Sequence, residues 1–359
     1  MELSRIDKLA KRMVENDVQA ALVSNPVNVR YLSGFTGDDS YLIVTAHDVY
    51  FITDGRFTEQ AENELSPNTK IITWKHSLFA EAVDVLNKLD GKRFGFEADQ
   101  LTYSTGARFK AQVQAELVSI SGWIENLRAV KDENEIAKIR AAARIVDQTF
   151  IHILDFIRPG VTEKRIAAEM EYYMKKMGSE KTSFETIVVS GVRTSLPHGV
   201  AGDKPIERGD LITLDFGATY QGYVSDMTRT IAVGRPDEQL QESYGLVLEA
   251  EKAGLEKAQP GMTSKELDAV IRAPFKREHK NQYFIHGAGH SIGLDIHESP
   301  YISFRSDHIF RENTIMTVEP GLYLANVGGI RIEDDVLIKT GKNEILTHAP
   351  KSDLLILPY

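Results

Sequence analysis

LITLDFG at 211–217 and IMTVEPG at 315–321 decide how this chain folds. Each is an apolar run of strand character that ends in an acid, followed by a glycine. They lie 104 residues apart, and each precedes a second acidic segment: YVSDMTRTIAV at 223–233 and IRIEDDVLI at 330–338. Upstream, PGVT at 159–162 and PGMT at 260–263 stand 101 residues apart, each opening a helix after a longer helical stretch. A repeat of this length is far beyond a solenoid unit. It predicts two similar α+β halves facing one another, each built as helix, helix and hairpin.

The acids carry the chemistry. If Tyr220 and Gln221 form a two-residue turn, Asp215 and Asp226 sit directly opposite each other, with Cβ atoms about 4.5–5.5 Å apart. Tyr-Gln is a poor pair for such a turn, and Gly222 is able to shift the register. In the second half Glu319 and Glu333 lie fourteen residues apart across ANVGG at 325–329. A single acid in a strand usually faces water. Four acids at echoing positions, each in apolar sequence, repel one another strongly unless something neutralises them. Divalent cations are the economical answer, and two hairpins converging could hold two. HGAGHSIGLDIHESP at 286–300 adds three histidines among three glycines, which reads as a turn-rich segment rather than a helix or regular strand. Oxygen donors with one imidazole suit manganese, cobalt, iron or zinc. Two such ions activate water and polarise a carbonyl, which is hydrolysis of an amide or ester.

The rest of the chain agrees. Its 359 residues predict two domains. A net charge of −10 argues against a nucleic-acid partner, whose phosphates would be repelled. The absence of cysteine excludes disulfides, zinc–thiolate sites and thiol nucleophiles and fits a reducing compartment. No run of about 18 apolar residues suggests a membrane span, and the amphipathic start lacks the apolar core of a signal peptide, so a cytoplasmic protein is expected. Residues 1–128 alternate strand candidates (20–24, 41–46, 49–53, 71–74, 93–97) with helical stretches (79–88, 105–115), which predicts an α/β layer domain. A long amphipathic helix over 134–157 opens the second domain, 129–359, just after Lys131-Asp132-Glu133.

LDFG, SDMTRT, GHSIGLDIHESP, TVEPG and IRIEDD, in this order, resemble the signatures of the pita-bread metallopeptidases, and most closely the proline-specific branch of Xaa-Pro dipeptidases and aminopeptidases P. The first domain, with NVRYLSGF at 28–35, resembles the creatinase-type N-terminal domain of that branch. The resemblance implies an α/β creatinase-like domain followed by an α+β pita-bread domain with a pseudo-twofold repeat. It implies two divalent ions, most readily Mn2+ (Co2+, Zn2+ or Fe2+ being alternatives), on Asp215, Asp226, His290, Glu319 and Glu333. A hydroxide between the metals would attack the scissile carbonyl and Glu319 would take its proton. His198, in SLPHGV, would contact substrate near the metals, and His297 would stabilise the tetrahedral species or the breaking bond. His286 would line the proline pocket, and Arg331 would order the site. Short peptides with proline at the second position are the implied substrates, and a homodimer the implied assembly. One departure is Ser291, where many relatives carry glycine.

Three other readings stand beside this one. GHSIG at 289–293 matches the G-x-S-x-G elbow of serine hydrolases around Ser291, but glycines precede it and Pro300 follows, poor material for a strand–serine–helix turn. A metal-free relative such as creatinase would lose ligand positions, and all five are present. Methionine aminopeptidase shares the ligands but typically lacks a first domain of this kind. Dipeptide or longer peptide as substrate is left open.

Overall fold

The computed structural model describes residues 4–359, which divide into two compact units, one ending at Arg128 and the other spanning Ala129–Tyr359. The first unit is a six-stranded mixed sheet in the order Thr69–Thr73, Val49–Thr53, Tyr41–Thr45, Ala20–Val23, Arg93–Phe96, Glu116–Ser119. The five strands expected in this unit are present. The edge strand Glu116–Ser119 and the helices Pro26–Ser33, Thr58–Glu64 and Glu125–Arg128 escape the sequence reading, being short and weakly periodic. Ala20, Leu22, Ile43 and Ile52 pack with Phe79, Leu86 and Phe109 from the helices Leu78–Lys88 and Tyr103–Gln112.

The second unit opens with the helix Glu133–Phe156. Asp132 caps it, with Glu135 returning the bond in a capping box, so the charged segment marks a helix start. The repeat inferred from the sequence has a concrete basis. Gly160 and Gly261 both take φ +88°, a left-handed conformation that glycine adopts without steric cost. Thr162 and Thr263 then cap the helices Glu163–Lys176 and Ser264–Arg277. Backbone bonds repeat as well: Glu163 N donates to Lys204 O and Lys164 N to Gly202 O, while Ser264 N donates to His308 O and Lys265 N to Ser306 O. Each half buries its own apolar cluster, one around Val146, Phe150, Ile166 and Met170, the other around Val247, Leu267, Ile271 and Phe275.

Two sheets carry the acids. One runs Ile356–Leu357, Met227–Val233, Leu211–Phe216, Ile187–Ser190; the other Glu298–Ile302, Gly289–Ser291, Ile315–Val318, Asp334–Leu337, Glu344–Ile345. The first hairpin corrects the expected register. Tyr220 pairs with Tyr223, so the turn is Gln221-Gly222, with φ +47° and +82°, and Asp215 faces Thr228 instead of Asp226. Gly222 takes a left-handed position that the Tyr220-Gln221 turn would have denied it. The partner of Asp215 moves by two residues, and because side chains alternate with period two, Asp226 remains on the same face. In the second half Val318 pairs with Asp334 and Gly321 with Arg331, which places Glu319 and Glu333 opposite each other between those rungs. A second correction concerns 286–300: Gly289–Ser291 and Glu298–Ile302 pair as antiparallel strands, with a register shift between His290 and Ser291. The bulge re-aims one side chain at a strand kink, a pattern that glycine counting misses.

Candidate metal and active site

Asp226, His290 and Glu333 offer one ligand atom apiece, all within 4.8 Å of one another, and all three residues are buried. Glu319 joins from the facing hairpin position, its Oε1 3.8 Å from His290 Nε2, while Asp226 Oδ2 lies 3.6 Å from the same nitrogen. These separations exceed hydrogen-bond length, so the imidazole faces the acids across a gap. His290 Nδ1 lies 3.2 Å from Ser291 O. With Nδ1–H donating to that carbonyl, Nε2 presents its lone pair to the acids, the tautomer a metal ligand needs. Asp215 completes the group in the sequence of the first hairpin, and Arg331 Nη2 donates to its Oδ2 at 2.5 Å.

Electrostatics says what this arrangement lacks. Burial, followed by the charges of Glu333 and Asp215, holds the Asp226 carboxyl well above the usual range. Burial and the Glu333 charge do the same to Glu319. Burial and the Asp215 charge push Glu333 up to about 8. His290 is lowered to about 4 by burial and by His297, whose ring centroid lies 4.5 Å away. Protein groups alone therefore disfavour ionisation of these acids. Asp215 Oδ1 and Asp226 Oδ1 are buried without a hydrogen-bond partner. Orphaned carboxylate oxygens beside a neutral imidazole fit a divalent cation, the one class of group that would satisfy their charge and their lone pairs together.

The acids open into a cavity of about 580 Å³. His198, His286 and His297 line it along with Asp215, Asp226, His290, Glu319, Arg331 and Glu333, so the five candidate ligands, the three further histidines and the arginine border one space. Phe184, Ile187, Ile296 and Tyr301 give that space apolar wall. His286 Nε2 lies 2.9 Å from Tyr323 Oη, and its Nδ1 lies 3.8 Å from Glu319 Oε2. Burial and the nearby Arg331 charge lower the His286 pKa to about 3, so its ring is neutral at pH 7. Arg331 is buried and its side chain makes four hydrogen bonds: besides Asp215 it donates to Thr228 Oγ1 at 3.0 Å, Tyr323 Oη at 2.8 Å and Pro197 O at 3.2 Å.

Two members of the site escape the sequence reading. Thr228 donates to Glu333 Oε2 at 2.7 Å and accepts from Arg331; the assumed register gave its place opposite Asp215 to Asp226. Tyr323 links His286 to Arg331, and the hairpin register would have found it, since Tyr323 stands two residues past Gly321, the partner of Arg331. Ser291, by contrast, is no nucleophile. Its Oγ is buried, donates to Ile315 O at 2.9 Å and accepts from Lys131 Nζ at 2.9 Å, and it ends a strand with no helix after it.

Residues 137–340 match Metallopeptidase family M24, and residues 5–130 match the Creatinase/Prolidase N-terminal domain. An Xaa-Pro dipeptidase of Pyrococcus furiosus is 41% identical over 345 residues, covering 96% of this chain and 97% of the relative. Among solved structures, an Xaa-Pro dipeptidase from Bacillus anthracis superposes with a TM-score of 0.95 at 42% identity, covering 98% of this chain and 99% of that one. An X-Pro aminopeptidase from Thermotoga maritima superposes with a TM-score of 0.91 at 38% identity, covering 99% of this chain and 100% of that one. With its creatinase-type first domain and its pita-bread second domain, this chain belongs to metallopeptidase family M24.

Proposed function

We propose that this protein is a metal-dependent exopeptidase that hydrolyses the bond between an N-terminal residue and a following proline. The observation that carries the reading is the buried group Asp226, His290 and Glu333, flanked by Asp215 and Glu319, with carboxylate oxygens left unsatisfied at Asp215 and Asp226. Those five residues would hold two divalent ions, manganese being the first choice for an oxygen-rich set with one imidazole. Such ions supply Lewis-acid polarisation of the scissile carbonyl and a water-derived nucleophile at neutral pH.

The chain's own residues do the rest. Glu319, which lines the cavity beside the ion site, is the group to take a proton from the attacking water and pass it to the leaving nitrogen. His198, in the loop that follows the strand Ile187–Ser190, and His297, just before the strand Glu298–Ile302, both line the cavity and would contact substrate as charge develops on the carbonyl oxygen. His286, neutral and fixed by Tyr323, forms a firm wall for the proline ring with Ile302 beside it. Arg331 fixes Asp215 so that its free Oδ1 stays directed at the ion site. The proline preference is supported by the relatives that carry that activity in their names. Among the described residues no helix is long and apolar enough to cross a membrane.

The test is an assay of Ala-Pro, Ala-Pro-Ala and Met-Ala with added manganese. Cleavage of at least one proline substrate, abolished by a chelator and restored by manganese, is expected. Turnover of Ala-Pro alone makes it a dipeptidase, and turnover of Ala-Pro-Ala an aminopeptidase. Cleavage of Met-Ala alone sinks the proline assignment, and activity that survives the chelator sinks the metal.

A further inference from the structure

Glu163 is the first residue of the helix Glu163–Lys176, and its side chain is wholly buried, an unusual place for a carboxylate. Both of its oxygens are occupied by one loop. Oε1 accepts from Ser190 N at 2.8 Å and Ser190 Oγ at 2.9 Å, where the loop leaves the strand Ile187–Ser190. Oε2 accepts from Gly202 N at 2.9 Å, where the loop returns. Between them Arg193 Nε reaches both oxygens at 3.2 Å, and the same guanidinium donates to Val200 O at 2.6 Å. A Cβ at residue 202 would stand 3.2 Å from Glu163 Oε2, so glycine lets the backbone come close. The loop that this carboxylate grips at both ends carries Pro197, His198 and Val200, all of which line the cavity.

The second half of the repeat repeats the device with different chemistry. Ser264, at the matching helix start and also fully buried, donates to Tyr301 O and accepts from Ser303 N at 3.2 Å. Tyr301 and Ser303 line the cavity from the other side. In both halves, then, the residue after the threonine cap pins a segment of the cavity wall.

We propose that Glu163 is a positioning residue: it clamps 190–202 so that His198 is presented to the substrate. The inference rests on the role of His198 in the proposed peptidase reaction. A hydrocarbon of similar volume would fill this space, and a helix needs no buried carboxylate to start. What the carboxylate adds is four donors gathered from three points of one loop, fixing the loop's two ends and its middle together.

Glu163→Gln tests this. Whichever way the amide is turned, it directs an N–H at the N–H of Ser190 or of Gly202, so one end of the loop is released with little change in volume. Hydrogen exchange over 188–204 is expected to speed up about tenfold or more. With metal content unchanged, kcat/KM on a proline substrate is expected to fall about 10- to 100-fold. In a His198→Ala background the same substitution is expected to cost less than about threefold, because the group it acts through is already gone. Unchanged exchange overturns the clamp, and an equal loss in both backgrounds overturns its action through His198. If Glu163→Gln does not fold, Arg193→Met, which removes a partly exposed side chain and frees Val200 O, is held to the same two criteria. Should the wild-type protein leave every proline substrate intact, the peptidase reading and the role of His198 fall together, and exchange alone decides whether Glu163 clamps the loop.

Discussion

Loading the stripped protein with manganese should expel protons, and their number follows from the site. At pH 7 the Glu333 carboxyl, pushed up to about 8 by burial and by Asp215, holds most of a proton. Burial and the neighbouring acidic charges raise the Asp226 and Glu319 carboxyls in the same direction. His290, lowered to about 4, holds none and is ready to ligate. Ion binding requires the three acids ionised, so about one proton or more per chain should be released at pH 7, whereas carboxyls at ordinary pKa values would release almost none. The sign is fixed: proton release makes ion affinity rise with pH. Each proton contributes about tenfold per pH unit, or about 1.4 kcal/mol. The dependence should weaken above pH 8, as Glu333 ionises without help. Calorimetric titration in buffers of differing ionisation enthalpy counts the protons directly. Release of almost no protons at pH 7 would show that the acids are already ionised and do not repel one another as described.

Two further outcomes check the surroundings of the site. Arg331→Met removes the cation that holds Asp215 and leaves a buried carboxylate unpaired, so unfolding in urea should show a loss of about 3–5 kcal/mol; a loss under about 1 kcal/mol would mean that Arg331 does not pair as described. Ser291→Ala deletes a hydroxyl that only bonds Lys131 and Ile315 O, so kcat on Ala-Pro should stay within about tenfold of wild type; complete inactivation with metal still bound would return Ser291 to the chemistry.

Much of the fold was legible because its cues are local. The Pro-Gly-x-Thr segments at 159–162 and 260–263 announce a left-handed glycine and a threonine cap, and both helices start where that chemistry directs. The five candidate ligands were legible as acids and imidazole in apolar surroundings, and they border one cavity. The first hairpin was misread because Gln221, which is not glycine, adopts φ +47°, and nothing local to a glutamine signals that. The pairing of 289–291 with 298–302 depends on strands that arrive from elsewhere in the chain.

The amino-acid order by itself determined which side chains carry charge and imidazole, where the helices begin, and that the catalytic half is built twice. Those are properties of neighbours in the chain, set by dihedral preference and periodicity. Tertiary structure alone decided that Thr228 faces Asp215, that Arg331 and Tyr323 brace the acids, and that Glu163 grips a loop 27 to 39 residues downstream. Such contacts join residues whose separation in sequence carries no signal, and only the packing of the two halves brings their donors and acceptors within hydrogen-bond length.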